Sequence, residues 1–310
     1  MESDRYRAHA ERARALVRER ALFPLYRAVT GLALALASRL SGLHYIGLDY
    51  PPAAADTPRW GHGKPDHRRL AERLDREPQL RREALERIAS FADELGAIEP
   101  VSASPLEPSW RNDWIPALDA AAIYAFIRSR APALYLEIGS GHTTRFAARA
   151  KRDGALATRI VSIDPQPRAE IDQLCDEVLR EPLESVDLAI FAALGAGDVL
   201  VFDGSHRTFP NSDVTTFFLD VLPELRAGVL VGIHDIGLPW DYSPGHAARY
   251  YSEQYVLAAY LLGGADVAVV LPTWSASRGE ETDRALEALW SAPNLRGVDR
   301  RGSLFWFETR

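Results

Sequence analysis

The residues best suited to chemistry in this chain are Glu137, Gly139, Ser140, Gly141 and Thr143. They fall in the run Glu137-Ile138-Gly139-Ser140-Gly141-His142-Thr143-Thr144. The run joins an apolar stretch, 133–138, to a stretch of helical character, 143–150. Glycines at such a junction let the backbone turn tightly and approach a ligand with no Cβ in the way. The free N–H groups of the helix that follows suit an anionic group. A second element, Asp164, lies 25 positions beyond Gly139 and ends the next apolar stretch. A carboxylate there can accept hydrogen bonds from both hydroxyls of a ribose. The two elements together suit an adenosine-bearing ligand. The plainer reading of Asp164 is a turn cap before Pro165.

The spacing also bears on which ligand. A dinucleotide turn wants a third small residue, as in G-x-G-x-x-G, and Thr144 occupies that position. S-adenosylmethionine (SAM) carries a carboxylate and an ammonium instead of phosphates. A turn ending in hydroxyls, with Glu137 near the ammonium, suits it better than a pyrophosphate.

The elements that position these residues follow from apolar periodicity. Short apolar runs at 133–138, 159–163, 178–179, 199–202 and 228–233 alternate with helical stretches at 143–150, 185–194 and 213–225. Continuous apolar strands alternating with helices imply a parallel sheet covered on both faces. After a helix at 250–262, runs at 266–271 and 303–309 supply two closing strands. The fold class is therefore α/β, a doubly wound, mostly parallel seven-stranded Rossmann-like sheet. Residues 1–110 read instead as a helical N-terminal region, a lid or oligomerisation element, with helices at 6–20 and 22–40 and two stripes around Leu70, Leu74 and Leu85, Ile88, Phe91 (or Ala92), Leu95. The catalytic domain is expected over 111–310.

Composition sets wider bounds. The 310 residues are 47% hydrophobic and carry a net charge of −7. That is ordinary for a globular protein and offers no basic face for nucleic acid. The single cysteine, Cys175, excludes an internal disulfide or a cysteine-cluster metal site and fits a reducing cytoplasm. The apolar run near 31–38, bracketed by Arg27 and Arg39, is shorter than the roughly 20 residues of a membrane span. It reads as a buried or docking helix; the alternative is an amphipathic helix resting on a membrane surface.

Four segments carry a resemblance: 136–144 (LEIGSGHTT), 162–164 (SID), 201–206 (VFDGSH) and 228–236 (GVLVGIHDI). They resemble the motif series of class I SAM-dependent methyltransferases. Within these the chain is most similar to the group related to macrocin and cephalosporin-pathway O-methyltransferases. Trp240-Asp241-Tyr242, Ser252–Tyr255 and Arg59–Pro65 resemble members of the same group. The resemblance implies methyl transfer from SAM to a small-molecule acceptor, through a hydroxyl. It implies that Gly139 and Gly141 pass under the methionine part, that Thr143 meets its carboxylate, that Asp164 holds the ribose, and that Asp203 faces both cofactor and acceptor. It also implies a divalent metal such as Mg²⁺ on Asp203 and Asp235 with His234 beside them. His234 departs from the amide or carboxylate of the relatives.

Three readings of this acidic and imidazole cluster stay open. Two carboxylates and an imidazole on adjacent strand ends can form an open metal site that lowers a hydroxyl's pKa. His206 or His234 can instead act alone as the general base, giving catalytic residues Asp203, His206 and His234. Both histidines can also be structural. His62, Lys64 and His67 around Trp60 read as a packed turn or as a lid. Half of Trp240, Tyr242, Tyr250 and Tyr251 are expected to touch the acceptor. Two rival functions remain: a nicotinamide-dependent oxidoreductase, and a non-catalytic SAM-fold partner protein. Homo-oligomerisation stays open.

Overall fold

In the computed structural model, residues 23–41, 45, 57–167 and 170–310 are described. The chain divides into two compact units, 1–54 and 55–310. Of the first unit the described residues are helix α1, Phe23–Ser41, and Tyr45; a helix was expected over 22–40, and the helix expected at 6–20 lies outside the described residues. No helix among the described residues is long and apolar enough to cross a membrane.

The second unit is built on a seven-stranded sheet. Its strands are β1 (Leu134–Ile138), β2 (Arg159–Ile163), β3 (Glu177–Leu179), β4 (Val199–Phe202), β5 (Leu230–Ile233), β6 (Val267–Pro272) and β7 (Phe305–Thr309). Their spatial order is β3-β2-β1-β4-β5-β7-β6. β1 to β5 pair in parallel, and β7 inserts antiparallel between β5 and β6. This is the fold class expected from the sequence.

Side chains alternate across the sheet, as the two-residue period of a strand requires. Tyr135, Val199 and Val201 join a core with Phe126, Phe146 and Trp306 on one face. Leu134, Leu136, Leu200 and Phe202 join a second core with Phe217, Leu257 and Leu261 on the other. Both faces are covered, so the strands read as unbroken apolar runs. The first core receives α3 (Pro78–Ala89), α4 (Ala117–Arg130) and α5 (His142–Asp153). The second receives α2 (Arg68–Leu74) and α6 (Glu253–Leu262).

Three local expectations differ from the structure. The stripe Leu85–Leu95 is two helices, because Phe91 leaves helical geometry (φ −110°) and a separate turn begins at Ala92. The stretch 185–194 is a 3₁₀ turn over Leu188–Ala193, capped by the Asp187 side chain on Ala189 N–H. The stretch 213–225 starts as an α-helix but widens into a π-turn at Phe217–Val221 before Pro223 ends it. Residues from 57 to 110, expected with the N-terminal helical region, lie in the sheet-bearing unit: Leu85, Ile88, Leu95 and Trp110 belong to the first core.

Candidate active site

Four parallel strands end on one edge, at Ile138, Ile163, Phe202 and Ile233, and the residue after each faces the crevice there. Main-chain bonds carry the ladder one step past the strands. Gly139 N–H donates to Ile163 O (2.9 Å), Asp203 N–H to Ile138 O (2.8 Å) and His234 N–H to Phe202 O (2.9 Å). Gly139 has φ +77°, and a Cβ there would overlap the carbonyl oxygen of Asp203. The turn can pass this close to β4 only as glycine.

Glu137 is fully buried and lines neither cavity at this edge. Its carboxylate accepts from Thr144 Oγ1 (2.5 Å) and Tyr135 Oη (3.2 Å). Thr144 Oγ1 in turn accepts the Gly141 N–H (3.0 Å). Burial pushes the Glu137 pKa up to about 7 against the hydrogen bonds from Thr143, Thr144 and Tyr135. The expectation that Glu137 meets a ligand ammonium is corrected: it braces the glycine turn from below.

Asp164 lies in the crevice. Its Oδ2 accepts from Ser140 N (2.8 Å) and its Oδ1 from Gln166 N (2.8 Å). A cavity of about 400 Å³ opens between Gly139, Ser140, Asp164, Leu183 and Asp203. A second, of about 250 Å³, is lined among others by Gly141, Thr143, His206, His234, Asp235 and Tyr251. Both cavities include Ser140 and Asp203 in their walls. Thr143, expected at the carboxylate of SAM, lines only the second.

Around Asp203 the structure gathers a charge network. His206 Nε2 lies 3.2 Å from Asp203 Oδ1 and 3.5 Å from Asp235 Oδ2. Its Nδ1 lies 2.8 Å from Oε2 of Glu253, a fully buried acid at the start of α6. His234 Nδ1 lies 3.5 Å from both Asp203 and Asp235, and its Nε2 is 3.8 Å from buried Asp119. Burial alone would strip both rings of their protons. The hydrogen bonds and charges of Asp203 and Glu253 outweigh it and hold His206 well above the usual imidazole range. Asp203, Asp235 and Asp119 push His234 up to about 10. Burial works against the Asp203 charge as well, but His234 and His206 hold its pKa below the usual carboxylate range.

These carboxylates favour the protonated form of both rings, which works against His206 or His234 taking a proton from an acceptor. The structure gives no support to the metal set Asp203, His234 and Asp235: His234 Nδ1 is buried 3.5 Å from each carboxylate without a hydrogen bond to either. Among the described residues no group of three or more His, Cys, Asp or Glu is arranged to hold a metal.

Sequence reading missed Glu253, Asp119 and His246. Asp119 is the one acid in the otherwise apolar stretch 117–127, which was its available signal; Glu253 sits inside the 252–255 segment singled out only for its resemblance. His246 lines the second cavity. Of the four aromatics, Tyr251 lines that cavity, Tyr242 is buried and Tyr250 is exposed. The loop at 59–67 packs elsewhere. Arg59 pairs with Asp241 (3.0 Å), the Trp240 indole N–H donates to Asp66 (2.8 Å), and His67 caps α2. The packed-turn reading holds there and the lid reading does not.

Residues 136–236 match the sequence profile of a family described as a methyltransferase domain. The match spans the glycine turn, Asp164, Asp203, His206, His234 and Asp235, on a sheet of the order β3-β2-β1-β4-β5-β7-β6. The chain carries a class I methyltransferase domain. This methyltransferase has likenesses among solved structures. The O-methyltransferase TomG from Streptomyces achromogenes, in complex with SAM, is 19% identical over 60% of this chain and 80% of its own, at a TM-score of 0.35. The SAH-bound methyltransferase PaMTH1 of Podospora anserina is 18% identical over 69% and 95%, at 0.37. The plantazolicin methyltransferase BpumL, in complex with SAH, is 14% identical over 78% and 99%, at 0.38. No curated protein matches the chain.

Proposed function

We propose that this methyltransferase moves the methyl group of SAM to a hydroxyl of a small-molecule acceptor. The observation that carries the reading is the seam: a crevice with the glycine turn and Asp164 meets a second cavity at Ser140 and Asp203. Two ligands bound on either side of it would meet there. Gly139, Ser140 and Asp164 would hold SAM, the first by leaving room and the last through its carboxylate. When bound, SAM supplies a methyl group already activated by the sulfonium.

What the protein adds is positioning, whose effect on a two-substrate reaction is worth up to about 7–11 kcal/mol. Asp203 is fixed at the seam by two imidazolium rings. The acceptor cavity, about 250 Å³ and lined mainly by polar side chains with Tyr251, Trp114 and Ile115 as its apolar part, suits a small polar organic molecule rather than a folded polymer. Calorimetric titration with SAM, SAH and NADH tests the reading. Heat with the first two and none with NADH is the expected result; NADH binding without SAM binding would replace methyl transfer with the oxidoreductase reading.

A further inference from the structure

We infer that His246 is the group that takes the proton from the acceptor hydroxyl; this rests on the proposed O-methyl transfer. His246 lines the acceptor cavity that shares Ser140 and Asp203 with the cofactor crevice. It sits in a single helical turn, Pro244–Ala248. Its ring is fixed from three sides. Nδ1 lies 3.1 Å from Ser243 Oγ, Tyr251 stacks at 5.3 Å, and Tyr242 closes in at 5.5 Å. Among the described residues Nε2 has no protein partner, and in the tautomer whose Nδ1–H donates to Ser243 Oγ its lone pair is left for a ligand.

The cavity holds four imidazoles, and geometry sorts them. His206 and His234 are each enclosed by carboxylates and hold their protons. His142 is neutral, but its Nδ1 faces the Arg145 guanidinium at 3.5 Å. It therefore accepts at Nδ1 and carries its proton on Nε2, which makes it a donor. Burial and Arg145 also bring it down to about 4, too acidic to hold a proton at neutral pH. His246 remains. The groups that act on it are Asp235 and His234 from the end of β5, His206 from the loop after β4, Arg249 just beyond its own helical turn, and the rings of Tyr242 and Tyr251. Burial and the three cations outweigh Asp235 and hold it below the usual imidazole value, so it enters the reaction neutral.

The step balances. The hydroxyl proton passes to His246 Nε2, the oxygen forms a bond to the methyl carbon, and the carbon–sulfur bond breaks with its electron pair on sulfur. The products are a methyl ether, S-adenosylhomocysteine and an imidazolium that returns its proton to water.

The first test needs no turnover. In ¹³C–¹H NMR of histidine-labelled protein, the Cε1 signal absent from H246Q should titrate below pH 6.5, while the signals of His206 and His234 remain those of charged rings to above pH 7.5. A His246 midpoint above 7.5 overturns the inference. The second uses methyl-tritiated SAM and a small-molecule extract of the source cells as the acceptor pool. H246A should transfer label at pH 7 at least a hundredfold more slowly than wild type, and added imidazole should restore part of the rate. A loss that is equal at every pH and unmoved by imidazole, or an unchanged rate, overturns the role of His246 alone. Wild-type protein that binds SAM but labels nothing overturns the hydroxyl-acceptor reading itself.

Discussion

His206 Nδ1 lies 2.8 Å from Glu253 Oε2, although 47 positions separate them in the chain. The main chain makes this pairing. The His206 carbonyl accepts from the N–H groups of Ser252 (2.8 Å) and Glu253 (3.3 Å), which sets the start of α6 against the loop after β4. His206 itself adopts a left-handed backbone (φ 61°), as does Asp235 (φ 54°). Non-glycine residues in that region cost about 1–3 kcal/mol each, and such strain gathers at functional sites. The site thus spends backbone strain to aim an imidazolium at Asp203. Replacing Glu253 by Gln removes the charge behind the ring. We expect Asp203 to lose its grip on His206 and turnover to fall at least tenfold, with SAM affinity unchanged. Titration calorimetry beside a rate assay checks both halves.

Asp164 should matter to SAM affinity before it matters to rate. It faces the larger cavity and also accepts the Ser140 N–H. Asp164→Ala should weaken SAM binding by about 1–3 kcal/mol, roughly 5- to 150-fold, through lost hydrogen bonds. Unchanged affinity by calorimetry would take Asp164 out of the site.

The brace beneath the glycine turn predicts a stability effect. Thr144→Val keeps the shape but leaves the buried Glu137 carboxylate and the Gly141 N–H each short of a partner. An unsatisfied buried group costs about 1–3 kcal/mol. The melting temperature should drop by several degrees, and the loss should shrink when Glu137 is replaced by Gln as well. An additive double mutant would show that the two residues do not act together.

How much of this was legible in the chain depends on range. Gly139, Asp164 and Asp203 each follow an apolar strand, so local periodicity places them on one edge. Glu253, Asp119 and His246 reach the site from α6, α4 and a short turn. Only the packing of those elements brings them there. The metal question is not legible in the chain, because Asp203, His234 and Asp235 have the same composition whether they share a cation or pair with one another. Within the fold, the apolar run 185–194 has helical content, yet Asp187 caps a tight 3₁₀ turn instead, a local competition that periodicity does not register.

Since the carboxylates at the seam are neutralised by imidazolium rings, chelation should not silence the enzyme. Dialysis against EDTA is expected to leave transfer within about twofold, far less than the several kcal/mol that a Lewis-acid metal contributes to a transition state. Loss of activity restored by Mg²⁺ would return the metal reading.

The same rings fix how stability depends on pH. His234 titrates near 10 in the folded chain against an ordinary value of 6.5. Between these values the folded state keeps a proton that the unfolded chain releases. Its contribution is complete below about pH 6.5 and is lost as the pH rises toward 10. Glu137 and Glu253, pushed up by burial to about 7 from 4.5, act in the same direction between those values. Asp203 acts oppositely, and its contribution is lost only in strong acid as its pKa is held low. The melting temperature should therefore fall steadily from pH 6.5 to pH 10, with one such group supplying at most about 1.4 kcal/mol per pH unit. His234→Gln should be less stable at pH 6.5 and show a shallower decline over that window. A variant whose curve runs parallel to the wild type would mean that His234 is neutral in the folded protein, and the charge network around Asp203 would have to be redrawn.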